Sequence, residues 1–295
     1  MKTVYRYRLA RYRGQILGWG IALALYALLM VQFYSTLLDE QEQFQTLIDS
    51  YPKEIAAFVG GMDDIFAPSG YLDTYIFSLM PLILGVFAVL IGSGLLAGDE
   101  ESGRLDLILA HPISRSALFW GRMAALTVAT AAILALIWLG LALPSRWTPL
   151  EDVNVIEMLQ PCLSLLAALL FFATLALLLS MLLPSRRMAA MTSGILLVGS
   201  YFLNGLAFLN PDIEPVARLS PLYYYQGGKA LDSFNAAWFI GLSAAALLFA
   251  LLAWWRFQQR DIRVGGEGGW KRPTLASLAK LLPRRPSIRR EGSAS

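Results

Sequence analysis

The sequence predicts an all-α integral membrane protein with six transmembrane helices and both termini cytoplasmic. Three observations predict this. Of 295 residues, 57% are apolar and only 15% charged, with a mean hydropathy of +0.55, whereas a soluble domain carries roughly a quarter charged residues. Six stretches, 15–37, 74–97, 117–143, 157–183, 189–209 and 236–255, each offer about the 20 apolar residues needed to cross a ~30 Å hydrocarbon core. Twenty of the 24 Lys and Arg residues then fall on one side of the layer, which the positive-inside bias assigns to the cytoplasm. The runs are Leu/Ala-rich and do not alternate, which argues against a strand barrel.

The elements follow in order. Residues 1–14 form a basic lead-in in which Tyr5, Leu9 and Tyr12 recur at helical spacing between arginines. This suits a short interfacial helix on anionic lipid, or a segment that only fixes topology. The first apolar run is too long for a signal h-region and lacks a small-x-small cleavage site. An acidic, partly helical outer loop is expected at 38–73. A second outer stretch, 210–235, is rich in Pro, Gly and Tyr, as in a membrane-interface belt. Residues 258–295 read as a basic cytoplasmic tail. It contains a flexible linker at 265–269 and a short amphipathic helix carrying Leu275, Leu278, Leu281 and Leu282. Its basic flanks suit anionic lipid better than nucleic acid.

Reactive chemistry is sparse. One Cys excludes a disulfide scaffold and a redox pair. The interiors of the predicted spans hold no ionisable residue, and Glu157 and Arg122 stand at span ends, so no buried proton relay is predicted. Gly228-Lys229-Ala230 lacks the hydroxyl residue of a phosphate-binding loop, and Tyr223 stands at its first Gly position. Ser93, between Gly92 and Gly94, reads as helix packing, as does Cys162. His111 reads as a helix-end contact. No catalytic residue and no metal site are predicted. Gln32, Ser78, Ser200, Tyr201 and Asn204 are the candidate polar lining of a substrate path. Its otherwise apolar walls suit a hydrophobic or amphipathic substrate. Gly14 with Gly18, and Gly94 with Gly98, place small residues at i, i+4 for helix contact within or between subunits.

The connection 98–116 is the informative one. Asp99, Glu100 and Glu101 follow a span on the side where positive charge is expected. Leu105, Ile108 and Leu109 then give a short amphipathic helix, Pro112 ends it, and Ser114 is placed to cap the next span. An acidic lip on such a helix suits docking of a soluble partner; the alternative is a turn with solvated charges.

The run Glu100-Glu101-Ser102-Gly103-Arg104-Leu105-Asp106-Leu107-Ile108-Leu109, then Pro112-Ile113-Ser114-Arg115, resembles the cytoplasmic coupling region of type-2 ATP-binding-cassette (ABC) exporter permeases. Supporting likenesses are a Tyr-Pro…Gly-Tyr-Leu pattern across 51–72, Leu219-Ser220-Pro221-Leu222-Tyr223-Tyr224, and Arg260-Asp261-Ile262. The likeness covers about residues 1–263. It implies a non-enzymatic permease of the prokaryotic plasma (inner) membrane. Two such copies, as a homodimer, would work with two separate ATP-binding subunits that hold the ATP and Mg, leaving no cofactor on this chain. The coupling residues carried over are Glu100, Glu101, Ser102, Gly103, Arg104, Leu105, Leu107, Ile108, His111, Pro112, Ser114 and Arg115. Residues 1–14 would be an interfacial elbow helix, 15–257 the six-helix permease domain, and 210–235 would hold re-entrant helices. The tail beyond 264 has no counterpart. The residues alone leave open an ATPase-independent carrier or channel, coupled to sodium, and a membrane anchor for a cytoplasmic protein.

Overall fold

The computed structural model describes residues 1–50, 64–150 and 153–260. The expected tail helix with its linker, and part of the first outer loop, lie outside these residues. All regular elements among the described residues are helical.

Helix α1 spans Lys2–Asp39 without a break. At 1.5 Å per residue it is about 57 Å long, well beyond the ~30 Å hydrocarbon core. The lead-in expected as an elbow at 1–14 is therefore not a separate helix; it runs on without a break into the first apolar stretch. Gly14 is the one weak helix former at the junction, and its cost of about 1 kcal/mol does not break a helix with good formers on both sides. Helix α2, Gln41–Ser50, follows directly.

The second span departs most from expectation. A straight helix over 74–97 is replaced by α3, Pro68–Leu72, a π-helical turn, Asp73–Phe77, and α4, Met80–Gly94. The two halves meet at 41°. A π turn carries an extra residue per turn and so redirects the chain. Pro81 falls in the first turn of α4, where its missing N–H costs nothing.

The expected amphipathic helix of the next connection is two pieces, α5 (Ala97–Glu101) and α6 (Arg104–Leu109). Gly103 separates them at φ +68°, a left-handed conformation that favours glycine. Pro112 lies beyond α6, and the Ser114 hydroxyl accepts from Ala117 N at 3.2 Å to cap α7, Arg115–Ser145, as the sequence predicts. Helices α8 (Leu159–Leu182) and α9 (Arg186–Leu209) complete the middle of the chain. The stretch 210–235 folds as 3₁₀ turns at Pro211–Ile213, Pro221–Tyr224 and Gly227–Leu231 around a short α10, Glu214–Ala217. Helix α11, Ala236–Gln259, closes the described chain, capped by Asn235.

Five of these helices are long and apolar enough to cross a membrane, and six spans result if the bent α3–α4 pair counts as one. Helix α8 is the hub. It packs on α4, α7, α9 and α11 and buries residues all round, including Cys162, Ala167, Ala168 and Ala176. A helix apolar on every face belongs inside the bundle. Helix α1 packs mainly on α7.

Small residues set these approaches, but not the expected ones. A Cβ on Gly92 would strike the Ala173 carbonyl oxygen of α8, and one on Gly140 the Ala24 carbonyl oxygen of α1. Without a solvent-driven hydrophobic term, such close packing holds membrane helices together. Gly14 and Gly18 meet nothing within 4 Å in the chain, and Gly94 and Gly98 face the Arg186 side chain rather than a helix backbone. Of the two alternatives for these pairs, the chain itself supplies no helix contact to Gly14 and Gly18, and a side chain lies nearest Gly94 and Gly98.

Candidate functional site

The two ends of the bundle hold different polar machinery. At the basic end, Asp99 is 5% exposed and Arg122 3% exposed. Arg122 Nη2 lies 2.7 Å from Asp99 Oδ2, and its Nη1 donates to Leu95 O at 2.7 Å. Arg104 Nη2 reaches Asp99 Oδ1 at 3.0 Å, and Arg8 Nη1 stands 3.8 Å from Oδ2. One buried carboxylate thus joins α1, α5, α6 and α7. Two expectations are corrected here. Arg122 does not reach water, and of the acidic run only Glu101 stays exposed. Arg8 and Arg122 are distant from Asp99 in sequence, so no local pattern announces their pairing.

Glu100 is also buried and faces Arg260 Nη2 at 3.5 Å. Arg260 further donates to Ser180 O and Met181 O at 3.4 and 3.3 Å, near the C-terminal end of α8. Arg115 Nη1 donates to Arg260 O at 2.8 Å, and to Phe257 O and Gln258 O at 3.3 Å each, closing the end of α11. Cations on free helix carbonyls complement the dipole there. Glu101 stays exposed, and its Oε1 accepts from Arg186 N at 2.9 Å, at the start of α9. The connection 97–115 is thereby tied to the ends of α1, α7, α8, α9 and α11.

Its outer surface is different. Leu105 is buried in the main core, with Ile108 packed partly against it. Leu107, in contrast, is 69% exposed. Ser102 accepts from Arg104 Nε at 2.9 Å. His111 and Pro112 are exposed, and His111 Nδ1 lies 3.0 Å from Leu107 O, the expected helix-end contact. Of the residues assigned to coupling, Leu107, His111 and Pro112 are free to touch something else, while Glu100, Leu105 and Arg115 hold the platform from within.

At the opposite end lies a cavity of about 470 Å³. Three of the expected polar residues, Ser78, Tyr201 and Asn204, line it together. Ser200 is buried, and its carbonyl accepts from the Ser220 hydroxyl at 3.5 Å. Gln32 is exposed on α1 and does not join this lining, a correction. The walls include Asp73, Glu214 and Lys229 beside Phe208, Tyr223 and Tyr225.

Asp73 is the residue that sequence reasoning misses. It stands one position outside the predicted second span, where it reads as a loop acid. The structure buries it in the π turn, where Oδ1 accepts from Gly228 N at 2.7 Å. Asp73 and Arg122 are thus buried charges near opposite ends of spans, where the sequence reads a loop acid and a cation that reaches water. The contact needs glycine on the other side. Gly227 has φ +55°, and a Cβ there would run into Asp73 Oδ1.

Around it, Tyr225 OH donates to Phe77 O at 3.0 Å, and burial raises the Tyr225 pKa well above the ordinary phenol range, so it stays a neutral donor. Tyr71 OH donates to Met30 O at 2.6 Å and Tyr34 OH to Phe66 O at 2.7 Å, pinning the bent span to α1. Glu214 accepts from Arg218 and Tyr223 at 2.9 and 3.0 Å. The Arg218 hydrogen bond, then that from Tyr223, lowers its pKa.

These features define a multi-pass helical membrane protein: a bundle with apolar outer faces, a charge-locked platform at one end and a polar-edged cavity at the other. No group of three or more His, Cys, Asp or Glu suited to a metal occurs among the described residues. The family described as "Multidrug efflux system permease Rv1217c, C-terminal domain" matches residues 7–258. The chain belongs to this family of efflux-system permeases. No curated protein matches it.

Proposed function

We propose that the chain is the permease subunit of an ABC exporter. It transmits the motion of a separate ATP-binding subunit through the 97–115 platform to a substrate path between two copies of the permease. The observation that carries this reading is the two-sided character of the platform. Inside, Glu100, Arg115 and Arg122 tie it to the ends of several spans. Outside, Leu107 offers an exposed apolar contact beside Ile108 and His111. A push on such a segment reaches α4 and α7 directly. The basic end would face the cytoplasm of a prokaryotic cell, as the charge bias requires.

The open Gly14 and Gly18 lie on α1 beside exposed Leu17, Ile21, Leu25 and Leu29. This i, i+4 stripe supports the homodimer, since small residues let a second copy approach. The opposite-end cavity, aromatic with a few charges, suits an amphipathic substrate. ATP and Mg would belong to the partner subunit.

The test is co-expression of the full chain with any Walker-type ATPase found in a neighbouring reading frame, then co-purification and ATP hydrolysis in lipid. The intact chain should retain the ATPase. Gly103→Pro should lose it with membrane insertion unchanged, since proline cannot adopt the φ of Gly103. Full coupled transport by that variant would remove the assignment.

A further inference from the structure

We propose that an arginine-lined cleft at the basic end, between the start of α1, the end of α4 and the start of α9, binds the phosphate headgroup of an anionic phospholipid whose acyl chains lie along the exposed face of α4.

The cleft has a volume of about 420 Å³, and Arg8, Arg11, Arg104 and Arg186 line it with Asp99 as its one acid. That acid is already committed. It is shared by Arg8, Arg104 and the buried Arg122. Glu100 faces Arg260, and the nearest oxygen of Glu101 takes the Arg186 backbone N–H. Arg11 has no ion-pair partner among the described residues. Arg186 makes one side-chain hydrogen bond, Nη2 to Leu90 O at 3.3 Å. The cleft therefore holds more positive than negative charge in a partly enclosed space, where like charges repel more strongly than in water. A phosphate ester relieves this, because guanidinium forks match phosphate oxygens in pairs.

One of these arginines lies against a glycine. A Cβ on Gly94 would lie 2.9 Å from the Arg186 guanidinium carbon, and one on Gly98 3.6 Å from its Nη1. Gly94 thus leaves the space that the Arg186 guanidinium occupies, and Gly98 stands in ordinary contact with it.

Continuity with the apolar surface selects a lipid over a free phosphate. Leu90 is both a wall of the cleft and an exposed residue of α4. Val86, Ile83 and Leu79 are exposed as well and follow it at helical spacing away from the cleft. A headgroup seated on the arginines would direct its chains down this stripe. Occupancy needs no ATPase, so the site stands or falls apart from the coupling role.

The experiment is native mass spectrometry of the full chain in detergent, titrated with phosphatidylglycerol, phosphatidylcholine or inorganic phosphate. Two double variants remove equal charge: Arg11→Gln with Arg186→Gln in the cleft, and Arg6→Gln with Arg13→Gln on exposed residues outside it. Phosphatidylglycerol should bind the parent chain, and the cleft variant should weaken it by at least about tenfold. The outer pair should leave affinity within about twofold of the parent, and phosphatidylcholine should bind no better than to the cleft variant. The single Arg11→Gln change, which removes no ion pair among the described residues, should give a smaller loss of the same kind. Equal losses in both double variants would overturn the site in favour of diffuse attraction. Displacement of the lipid by inorganic phosphate at matching concentration would overturn the lipid in favour of a free anion.

Discussion

Asp99 and Asp73 are both buried carboxylates in an apolar bundle, yet their surroundings assign them opposite work. Asp99 sits among three arginines from three segments of the chain. Asp73 takes one backbone N–H, from Gly228, and borders a cavity. The first is a compensated lock that fixes where helices end. The second fastens a bent span to the 227–231 turn and leaves charge beside open space. Buried charge in this protein is thus structural at the basic end and placed next to the candidate path at the other.

Removing the two acids should separate these roles. Asp99→Ala leaves Arg122 buried and unpaired, and breaking such a pair costs about 3–5 kcal/mol. Thermal unfolding in detergent should show the largest destabilisation of any single change here, or no folded protein at all. Asp73→Ala orphans one buried backbone N–H, a loss of about 1–3 kcal/mol, while Asp73→Asn keeps an acceptor and should fall well below that. Equal costs for Asp99→Ala and Asp73→Ala would erase the distinction between lock and fastener. Arg8→Gln, acting on a longer pair at 3.8 Å and leaving Arg104 and Arg122 on the carboxylate, should cost less than Asp99→Ala.

The smallest effect belongs to Glu214. Its pKa is lowered, first by the Arg218 hydrogen bond, so its contribution is present above the ordinary carboxylate pKa and is lost as pH falls through the lowered value. Arg218→Ala should move the Glu214 titration, followed by carboxyl NMR shifts, back up towards the ordinary range. An unchanged titration would detach Arg218 from it.

What the sequence discloses follows from the range of each interaction. The Ser114 cap, the Pro112 stop and the last four long apolar runs are local, and they appear in the structure close to where the residues place them. The cavity lining by Ser78, Tyr201 and Asn204 is legible because polar residues in apolar runs are rare. The bend at Asp73–Phe77 is not, since a π turn leaves no mark in hydropathy. The inward pairing of Asp99 is hidden for a different reason. Arg8 and Arg122 reach it only once α1 and α7 pack together, so the acids look free when read in order. Gly94 and Gly98 carry the spacing of a helix contact, but an arginine occupies that space instead.

The central claim is that the 97–115 platform receives force from an ATP-binding subunit through its exposed side. Leu107→Asp tests it most directly, because Leu107 is 69% exposed and a surface change of this kind shifts stability by within about 0.5 kcal/mol. The measurement is ATP hydrolysis and ATPase retention by the reconstituted full chain, parent against Leu107→Asp. The account predicts unchanged thermal stability, with ATPase retention and permease-dependent hydrolysis lost by at least about tenfold. Retention and hydrolysis at the parent level in a stably folded Leu107→Asp chain would contradict it.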